Sequence, residues 1–545
     1  MSSRRSAPRE LELKLSVTPQ TLARIRTGGA LARLPGLNPK GRATTKRLRS
    51  VYWDTPGHDL AAAGLGLRIR DVGGTYIQTL KSEDEGHGLL SDRGEDEAVL
   101  AQAQKRPAPD LSLIADKLLR RRVRTAMRGS EIRPLFESVI ERTQRIYDTS
   151  QGDRLAVVFD EGYVALAEAP DVREPVCEIE IERISGPSTA LFLAACALAD
   201  RYPMSLGTRS KAARGYALGA DHACGALPVT ASGAIEKAGR STVLPGMTLP
   251  DVYAVTLSRG VNQIIGNLEA VTEHRFPQGI HQMRVAMRRF RVAFGAFHKV
   301  MPLAEGKPLI ADIKAVFAVL GEARDMDVFC TETMPSLVEA CAEAGPGAAP
   351  DMAPLVAAAD DLRTAAWESV LTAISGPEFT QLLLRAGALA VAAGDMTLED
   401  RGSNRGMSLP RFARTRLAAR WRNAVISHHD LSGLGNEARH EVRKQLKTLR
   451  YEAEFFAPLW PREETKPFMR RLKTVQDEFG VINDAATAMQ VAHLAAQEIG
   501  GDRAHEAAGF VGGWYAARSE AAFKQVLQMW PDFEAVSAFW ERRPV

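Results

Sequence analysis

The sequence predicts two domains, an antiparallel α+β domain followed by an all-α domain. Up to about residue 220, short segments alternate polar with apolar or β-branched residues, the two-residue period of half-buried strands. Beyond Leu249, apolar residues recur with the 3.6-residue period of helices. Residues 221–247 show neither period and are rich in Gly, Ala, Ser, Thr and Pro, which is typical of an interdomain linker.

A length of 545 residues agrees with more than one hydrophobic core. We expect the first domain at residues 8–220 and the helical domain at residues 248–540. The composition, 45% hydrophobic and 25% charged, is that of globular proteins and disfavours a disordered or fibrous chain. The net charge of +4 is small for this length, so only the placement of the charges can indicate an anionic partner.

The cysteines and apolar runs indicate where the protein resides. The 5 cysteines form no Cys-x-x-Cys pair and are odd in number, which disfavours a zinc knuckle and a disulfide framework. The first residues lack the apolar centre of a signal peptide, and no apolar run is long enough to cross a bilayer. We therefore expect a cytoplasmic protein without a membrane partner.

The strand pattern of the first domain is interrupted by helical segments. Strands are predicted at residues 10–17, 49–54, 66–71, 75–81, 142–148, 154–161 and 176–182. Helical patterns occupy residues 19–34, 111–122 and 187–201. This order favours an antiparallel sheet.

Charged residues on these strands are segregated by sign. In the first strand, Glu10, Glu12 and Lys14 alternate with leucines and so share one face. Other strands repeat this device with cations or with carboxylates at alternate positions: Arg68, Arg70, Lys81, Glu178, Glu180 and Glu182. If these faces point into a closed antiparallel barrel, its lumen combines a carboxylate cluster with a cationic lining. The alternative is a set of ordinary half-exposed strands.

This combination of charges suits a triphosphate. Lys and Arg side chains donate to phosphate oxygens, and carboxylates bind the hard ions Mg²⁺ or Mn²⁺. A metal can then activate water, while cations stabilise the leaving phosphate. The sequence contains no Walker-type phosphate loop, which disfavours an ordinary P-loop enzyme.

The helical region contains an internal repeat. Residues 281–291 align without a gap with residues 440–450, an offset of 159 residues. The same offset pairs Lys314 with Lys473, Gly321 with Gly480, and Asp325 with Asp484. We expect two helical bundles related by a pseudo-twofold axis, at about residues 249–395 and 405–540.

Each copy of the repeat carries a row of basic side chains. At about 100° per residue, His281, Arg284, Arg288 and Arg291 fall within an arc of roughly 80°. Solvated helix faces usually mix signs at four-residue spacing, whereas this arc carries one sign and occurs twice. A basic channel of this kind suits a long polyanion, and a solvated charged surface is the alternative.

These paired helices resemble the CHAD family, the conserved-histidine α-helical domain. The resemblance covers residues 249–540 and implies two four-helix bundles that bind inorganic polyphosphate. The implied binding residues are His281, Arg284, Arg288, Arg291, Lys314, His440, Arg443, Lys447, Arg450 and Lys473.

The first domain resembles the CYTH superfamily of triphosphate tunnel metalloenzymes, over about residues 8–220. The resemblance implies a closed eight-stranded tunnel in an α+β domain. It implies catalytic roles for Glu10, Glu12, Lys14 and Glu180, and metal binding by Glu10, Glu12, Glu178 and Glu180. The implied substrate-binding residues are Arg47, Arg68, Arg70, Lys81, Arg93, Arg142 and Lys211, with Asp160 and Arg214 as weaker candidates.

We therefore expect an inorganic triphosphatase that uses Mg²⁺ or Mn²⁺ and binds polyphosphate, associated in the cytoplasm with polyphosphate granules. Alternatives are a CYTH enzyme for an organic triphosphate, such as thiamine triphosphate or ATP, and a non-catalytic granule scaffold. Nucleic-acid binding is disfavoured because the basic rows carry few aromatic residues for base stacking. The sequence leaves the oligomeric state and the choice of metal open.

Overall fold

The structure is a computed structural model of the chain. It describes residues 10–27, 36–82, 89–100, 107–150, 152–222, 235–239, 243–244, 246–344, 347, 349–397, 400 and 406–544. Two compact units are present. The first comprises residues 1–235, 261–274 and 375–391, and the second comprises residues 236–260, 275–374 and 392–545. The boundaries expected at 8–220, 221–247 and 248–540 stay predictions.

The first unit is built on antiparallel strands. Its described residues form β1 (Glu10–Ser16), β2 (Leu37–Asp54), β3 (Leu65–Val72), β4 (Thr75–Ser82), β5 (Leu90–Val99), β6 (Arg133–Thr149), β7 (Arg154–Leu166), β8 (Arg173–Ser185) and β9 (Ser205–Leu206). Helices α1 (Pro19–Thr27), α2 (Asp59–Ala62), α3 (Lys117–Met127), α4 (Thr189–Ala199) and α5 (Lys211–His222) accompany them. The α+β pattern was therefore predicted correctly.

The sheet corrects the prediction of a closed eight-stranded barrel. It has nine strands in the order β5-β4-β3-β2-β6-β7-β8-β1-β9. Within the described residues, β9 pairs with β1 alone, so the sheet ends in an edge strand and is not a simple ring of eight. β9 could not be predicted, because two residues are too few to show alternation. β1 also pairs with β5, with Glu10 opposite Arg93.

The alternation of β1 and β8 divides the sheet into an apolar face and a charged face. Leu13 lies opposite Ile181 and Leu15 opposite Ile179, and all four are buried. This face packs against α1 and α4, the latter an almost entirely apolar helix. The intervening residues, including Lys14, are directed to the other face, because successive side chains of a strand alternate.

The region after Leu249 is helical, as predicted. Its α-helices are α6 (Leu249–Ile265), α7 (Leu268–Thr272), α8 (Pro277–Phe297), α9 (Gly306–Val328), α10 (Met334–Ala344), α11 (Ala353–Ser375), α12 (Pro377–Gly394), α13 (Leu409–Ala424), α14 (Asn436–Phe456), α15 (Arg462–Ile499) and α16 (Asp502–Glu534). Among the helices described, none is long and apolar enough to cross a membrane. Their grouping into two four-helix bundles stays a prediction.

The two copies of the sequence repeat form matching helix pairs. The first copy forms α8 and α9, and the second forms α14 and α15. Pro277 occupies the first turn of α8, where the missing N–H is not needed by the helix. Apolar residues such as Met283, Phe290, Val442 and Leu449 are fully buried. The opposite stripe of each helix is therefore left for the basic residues.

Candidate functional site

A group of carboxylates lies on the charged face of the sheet. Glu178 and Glu180 alternate with buried isoleucines along β8, and Asp160 of β7 lies directly opposite Glu178. Asp160 and Glu178 are fully buried, and Glu180 is 3% exposed. Buried carboxylates are stable only when hydrogen bonds or opposite charges compensate the loss of water.

Lys211, the first residue of α5, supplies part of that compensation. Its Nζ lies 2.7 Å from Asp160 Oδ2, 2.9 Å from Glu178 Oε2 and 3.1 Å from Glu180 Oε1. One ammonium group therefore joins all three buried carboxylates, and α5 fixes its position at the edge of the group.

Arg142 and Lys14 complete the compensation from β6 and β1. Arg142 donates from Nε and Nη2 to the two oxygens of Asp160, at 2.8 and 2.7 Å, and from Nη2 to Glu180 at 2.6 Å. Lys14 Nζ lies 3.1 Å from Glu180 Oε1. Glu180 is therefore in contact with three cations.

These contacts set the protonation states. Burial tends to raise the pKa of Glu180, but Lys211, Lys14 and Arg142 outweigh it and hold that pKa well below its usual value. Burial tends to lower the pKa of Lys211, but Glu180, Asp160 and Glu178 raise it well above its usual value. Glu180 and Lys211 are consequently both ionised at neutral pH.

The oxygen atoms of this group suit a divalent cation. Two sets of three carboxylates, Glu12 with Glu180 and Glu182, and Asp160 with Glu178 and Glu180, bring one oxygen each within 4.8 Å of one another. Glu178 Oε1 is buried without a hydrogen bond. Arg214 Nε also lies 3.4 Å from Glu178 Oε1, so four cations face these five carboxylates and leave a surplus of one negative charge. Hard ions such as Mg²⁺ or Mn²⁺ prefer such ligands.

Tyr52 is near both the arginines of β3 and the carboxylate group's Lys211, and it was not among the predicted site residues. Tyr52 of β2 lies opposite Arg68. Burial tends to raise the pKa of the Tyr52 hydroxyl, but Arg68, Lys211 and Arg70 lower it below its usual value, and Arg68 also hydrogen-bonds to it. Tyr52 therefore lies near both the β3 arginines and Lys211. The only signal in the sequence is the alternation of the strand, which places Tyr52 on the same face as the charged positions.

The structure places the other candidates of this domain differently. Lys81 shares its face with Arg68, because Thr79, two residues earlier, pairs with Arg68. Arg47 is exposed and pairs with Glu141, while its neighbour Lys46 pairs with Arg142. Arg47 is therefore directed to the opposite face from Arg142, and Lys46 takes the place expected for it.

Two of the weaker candidates join the site, and two other candidates fall outside the description. Asp160 is central, and Arg214 Nε lies 3.4 Å from Glu178 Oε1. The side chains of Glu10 and Arg93 lie outside the described residues. Glu182 belongs to a metal-ligand set although the analysis did not select it; its signal was the continued alternation after Glu180.

A second group of charges lies in the helical unit, where α8 and α14 bring their basic rows together. Arg288, Arg443 and Arg284 all act on Lys447, and burial together with these cations lowers the Lys447 pKa to about 7. Burial likewise lowers the pKa of His281, with contributions from Arg324, Arg284, Arg288 and Lys447. We call this group the basic cluster: His281, Arg284, Arg288, Arg291, Arg443 and Lys447.

Two aspartates of the repeat lie beside the basic cluster and beside each other. Burial raises the pKa of Asp325, and Asp484 raises it further, although Arg284 opposes this. Burial also raises the pKa of Asp484, and Arg443 opposes this. The sequence repeat aligns Asp325 with Asp484, but no role was predicted for either residue.

The remaining helical candidates are less closely associated with the cluster. Lys314 is exposed, and Lys473 forms an ion pair with Asp477 at 2.7 Å. His440 is exposed and forms a side-chain hydrogen bond with Asn483. Arg450 donates to Glu454 at 2.9 Å. The second copy of the repeat is thus more neutralised than the first.

Comparisons with known families agree with this two-part organisation. The sequence profile of the CYTH domain matches residues 8–216, and that of the CHAD domain matches residues 256–493. A curated inorganic triphosphatase of Haemophilus influenzae is 29% identical over 219 residues, which make up 38% of this chain and 55% of that protein. The chain therefore matches little more than half the length of that relative.

Two solved structures are similar to this chain. The crystal structure of the CHAD domain from Ricinus communis has 24% identity and a TM-score of 0.48, covering 57% of this chain and 99% of its own. A Hippeastrum protein, described as a putative adenylyl cyclase with a dominant triphosphatase activity, has 22% identity and a TM-score of 0.28. That match covers 41% of this chain and 99% of its own.

Proposed function

We propose that this chain, which consists of a CYTH domain at residues 8–216 and a CHAD domain at residues 256–493, is a metal-dependent inorganic triphosphatase that also binds inorganic polyphosphate. The observation that carries the proposal is a group of five carboxylates, three of them buried, that outnumbers its four contacting cations by one; the carboxylates are Glu12, Asp160, Glu178, Glu180 and Glu182. A surplus of buried carboxylates would repel a polyanion unless a cation intervened.

The metal would be held by Glu180 with Glu12 and Glu182, or with Asp160 and Glu178. When bound, a divalent cation neutralises phosphate charge and lowers the pKa of water. Mg²⁺ and Mn²⁺ are both compatible with these oxygen ligands.

The protein's own cations would bind the substrate's phosphates. Arg68 and Arg70 lie beside Tyr52 and donate planar sets of N–H groups, which suit phosphate oxygens. Lys211 acts on Tyr52 together with these arginines and also contacts the carboxylates, so it can contact both the substrate and the metal ligands. Arg142, with two bonds to Asp160, holds that carboxylate in place.

Inorganic triphosphate is the proposed substrate. A curated relative of this chain is an inorganic triphosphatase, and the chain carries a CHAD domain beside its CYTH domain.

Polyphosphate binding is assigned to the basic cluster. Arg284, Arg288, Arg443 and Lys447 come from two helices and influence one another electrostatically. Cations held close together repel one another. A bound polyanion reduces this repulsion, which favours binding.

A substrate panel tests this proposal. Orthophosphate release is measured from inorganic triphosphate, ATP, thiamine triphosphate and long-chain polyphosphate, each with Mg²⁺, Mn²⁺ or EDTA. We expect metal-dependent release, fastest from inorganic triphosphate. Faster release from an organic triphosphate would overturn the substrate assignment. No release from any compound, with polyphosphate still bound, would leave a binding protein and overturn the enzymatic assignment.

A further inference from the structure

Three arginines of α8 surround one aromatic ring of α9. The guanidinium carbon of Arg284 lies 4.3 Å from the centre of the Phe317 ring, and those of Arg288 and Arg291 each lie 5.2 Å from it. Contacts within about 6 Å of a ring centre are favourable cation–π interactions. Phe317 thus contacts every arginine of the first basic row.

Arg284 is fixed more tightly than a ring contact alone requires. Its Nη1 donates to the backbone oxygen of Phe317 at 2.8 Å. One turn further along α9, a Cβ on Gly321 would lie 2.5 Å from Nη1, so only glycine leaves room for this guanidinium. Phe317 and Gly321 together form a socket for Arg284.

The second copy of the repeat lacks this socket. The residue equivalent to Phe317 is Gln476, whose Oε1 accepts a 3.3 Å hydrogen bond from Arg450. Arg450 also pairs with Glu454. A Cβ on Gly480, the equivalent of Gly321, would meet nothing within 4 Å.

The two copies therefore differ in how many donors they leave for a ligand. Among the described residues, no carboxylate lies within ion-pair distance of Arg284, Arg288 or Arg291. A ring stacked on a guanidinium occupies its face and leaves the in-plane N–H groups available. A carboxylate such as Glu454 uses those N–H groups instead.

We propose that Phe317 is a positioning residue that aligns three guanidinium groups and makes the first repeat the stronger phosphate-binding half of the basic cluster. The inference rests on the proposed polyphosphate binding and deepens it. The ring offsets part of the repulsion among the arginines without consuming their donors, so the ligand meets an arranged set of N–H groups. Arg284 keeps its charge at neutral pH, since burial and its neighbours lower its pKa only to about 10.

Two pairs of variants test the proposal with inorganic polyphosphate of defined length in a salt series. Phe317→Leu keeps an apolar side chain but removes the ring, and should weaken affinity about tenfold through the loss of three cation–π contacts. It should also reduce the slope of log K against log salt by about one, because fewer phosphates are contacted at once. Phe317→Tyr retains the ring and should restore both values.

Gly321→Ala provides a second route that leaves the ring intact. The new methyl group displaces Arg284, the end of a flexible side chain, so affinity should fall several-fold while α9 stays folded. Gly480→Ala is the matched control in the other repeat and should bind like the wild type.

The possible results test separately the positioning role of Phe317, the asymmetry between the repeats and the proposed polyphosphate binding. Wild-type affinity and salt slope in both Phe317→Leu and Gly321→Ala would overturn the positioning role while leaving polyphosphate binding in place. Equal losses in Gly321→Ala and Gly480→Ala would overturn the asymmetry between the repeats. A wild-type protein that does not bind polyphosphate would overturn the proposed function itself. If Phe317→Leu fails to fold, by circular dichroism, the glycine pair decides.

Discussion

Replacing Glu180 with Gln should damage both the stability and the metal binding of the first unit. Glu180 is the one residue shared by the two carboxylate sets, and it contacts Lys14, Arg142 and Lys211. The substitution keeps the size of the side chain but removes its charge. The three cations then share fewer carboxylates, and the negative surplus that attracts a metal is lost.

The magnitude follows from these contacts. Removing one partner of a buried ion pair costs about 3–5 kcal/mol. Because Gln keeps one oxygen acceptor, we expect a loss near the lower end, about 3 kcal/mol in the free energy of unfolding. Loss of even an outer-shell partner of a metal costs roughly 10–100-fold in affinity. Loss of a shared ligand should therefore weaken Mn²⁺ binding by at least about 100-fold.

Urea denaturation in EDTA and calorimetric Mn²⁺ titration measure the two effects. Glu141→Gln is the matched control, since Glu141 lies on β6 next to Arg142 but is exposed, with only an ion pair to Arg26 at 3.4 Å. A Glu180→Gln protein that unfolds and binds Mn²⁺ like Glu141→Gln would refute the argument that Glu180 links the cations to the metal ligands.

Three further predictions concern other residues. Polyphosphate affinity should fall as the pH rises from about 6.5 to 8.5. Burial and the nearby Arg288, Arg443 and Arg284 lower the Lys447 pKa to about 7, with Asp484 opposing them, and a polyanion favours the protonated form. Lys447→Arg should flatten this pH profile in a binding assay, and an unchanged profile would contradict the prediction. Gly207→Ala should lower both triphosphatase activity, about tenfold, and the thermal unfolding temperature. The new Cβ would lie 2.4 Å from Lys14 Cγ and displace that side chain from buried Glu180. Full activity would show that Lys14 tolerates the shift. Tyr52→Phe should raise the KM for triphosphate several-fold without altering Mn²⁺ affinity, because the hydroxyl that hydrogen-bonds with Arg68 is lost. A change confined to Mn²⁺ affinity would instead place Tyr52 with the metal ligands.

Alternation carried most of the site prediction in the first unit. It placed Glu178, Glu180 and Lys14 on one face, since the period of a strand is two. It also failed by one residue: Arg47 was selected where Lys46 shares the face of Arg142. A basic pair in a strand offers two choices, and only the register of the neighbouring strand decides between them.

Other elements left no usable pattern in the sequence. β5 was missed because Leu90–Val99 contains Gly94 and several charged residues and does not alternate. The expected barrel of eight strands was wrong because β9 is too short to predict. These features depend on pairing with distant segments, which local periodicity does not report.

The helical repeat predicted where the basic cluster lies but not how it is held. The offset of 159 residues paired the arginines of α8 with those of α14. The role of Phe317 was invisible, because its equivalent is Gln476 and the contact runs between two helices. Matched positions indicate a shared fold, whereas the differences between them indicate specialisation.

The central claim is that the Asp160, Glu178 and Glu180 group is a metal-dependent triphosphatase site. The most direct test is the rate of orthophosphate release from inorganic triphosphate by the wild type, Glu180→Gln and Glu141→Gln, with Mn²⁺ and with EDTA. The account predicts release by the wild type and Glu141→Gln only with Mn²⁺, and none above background by Glu180→Gln. Equal rates in Glu180→Gln and Glu141→Gln, or release that persists in EDTA, would contradict it.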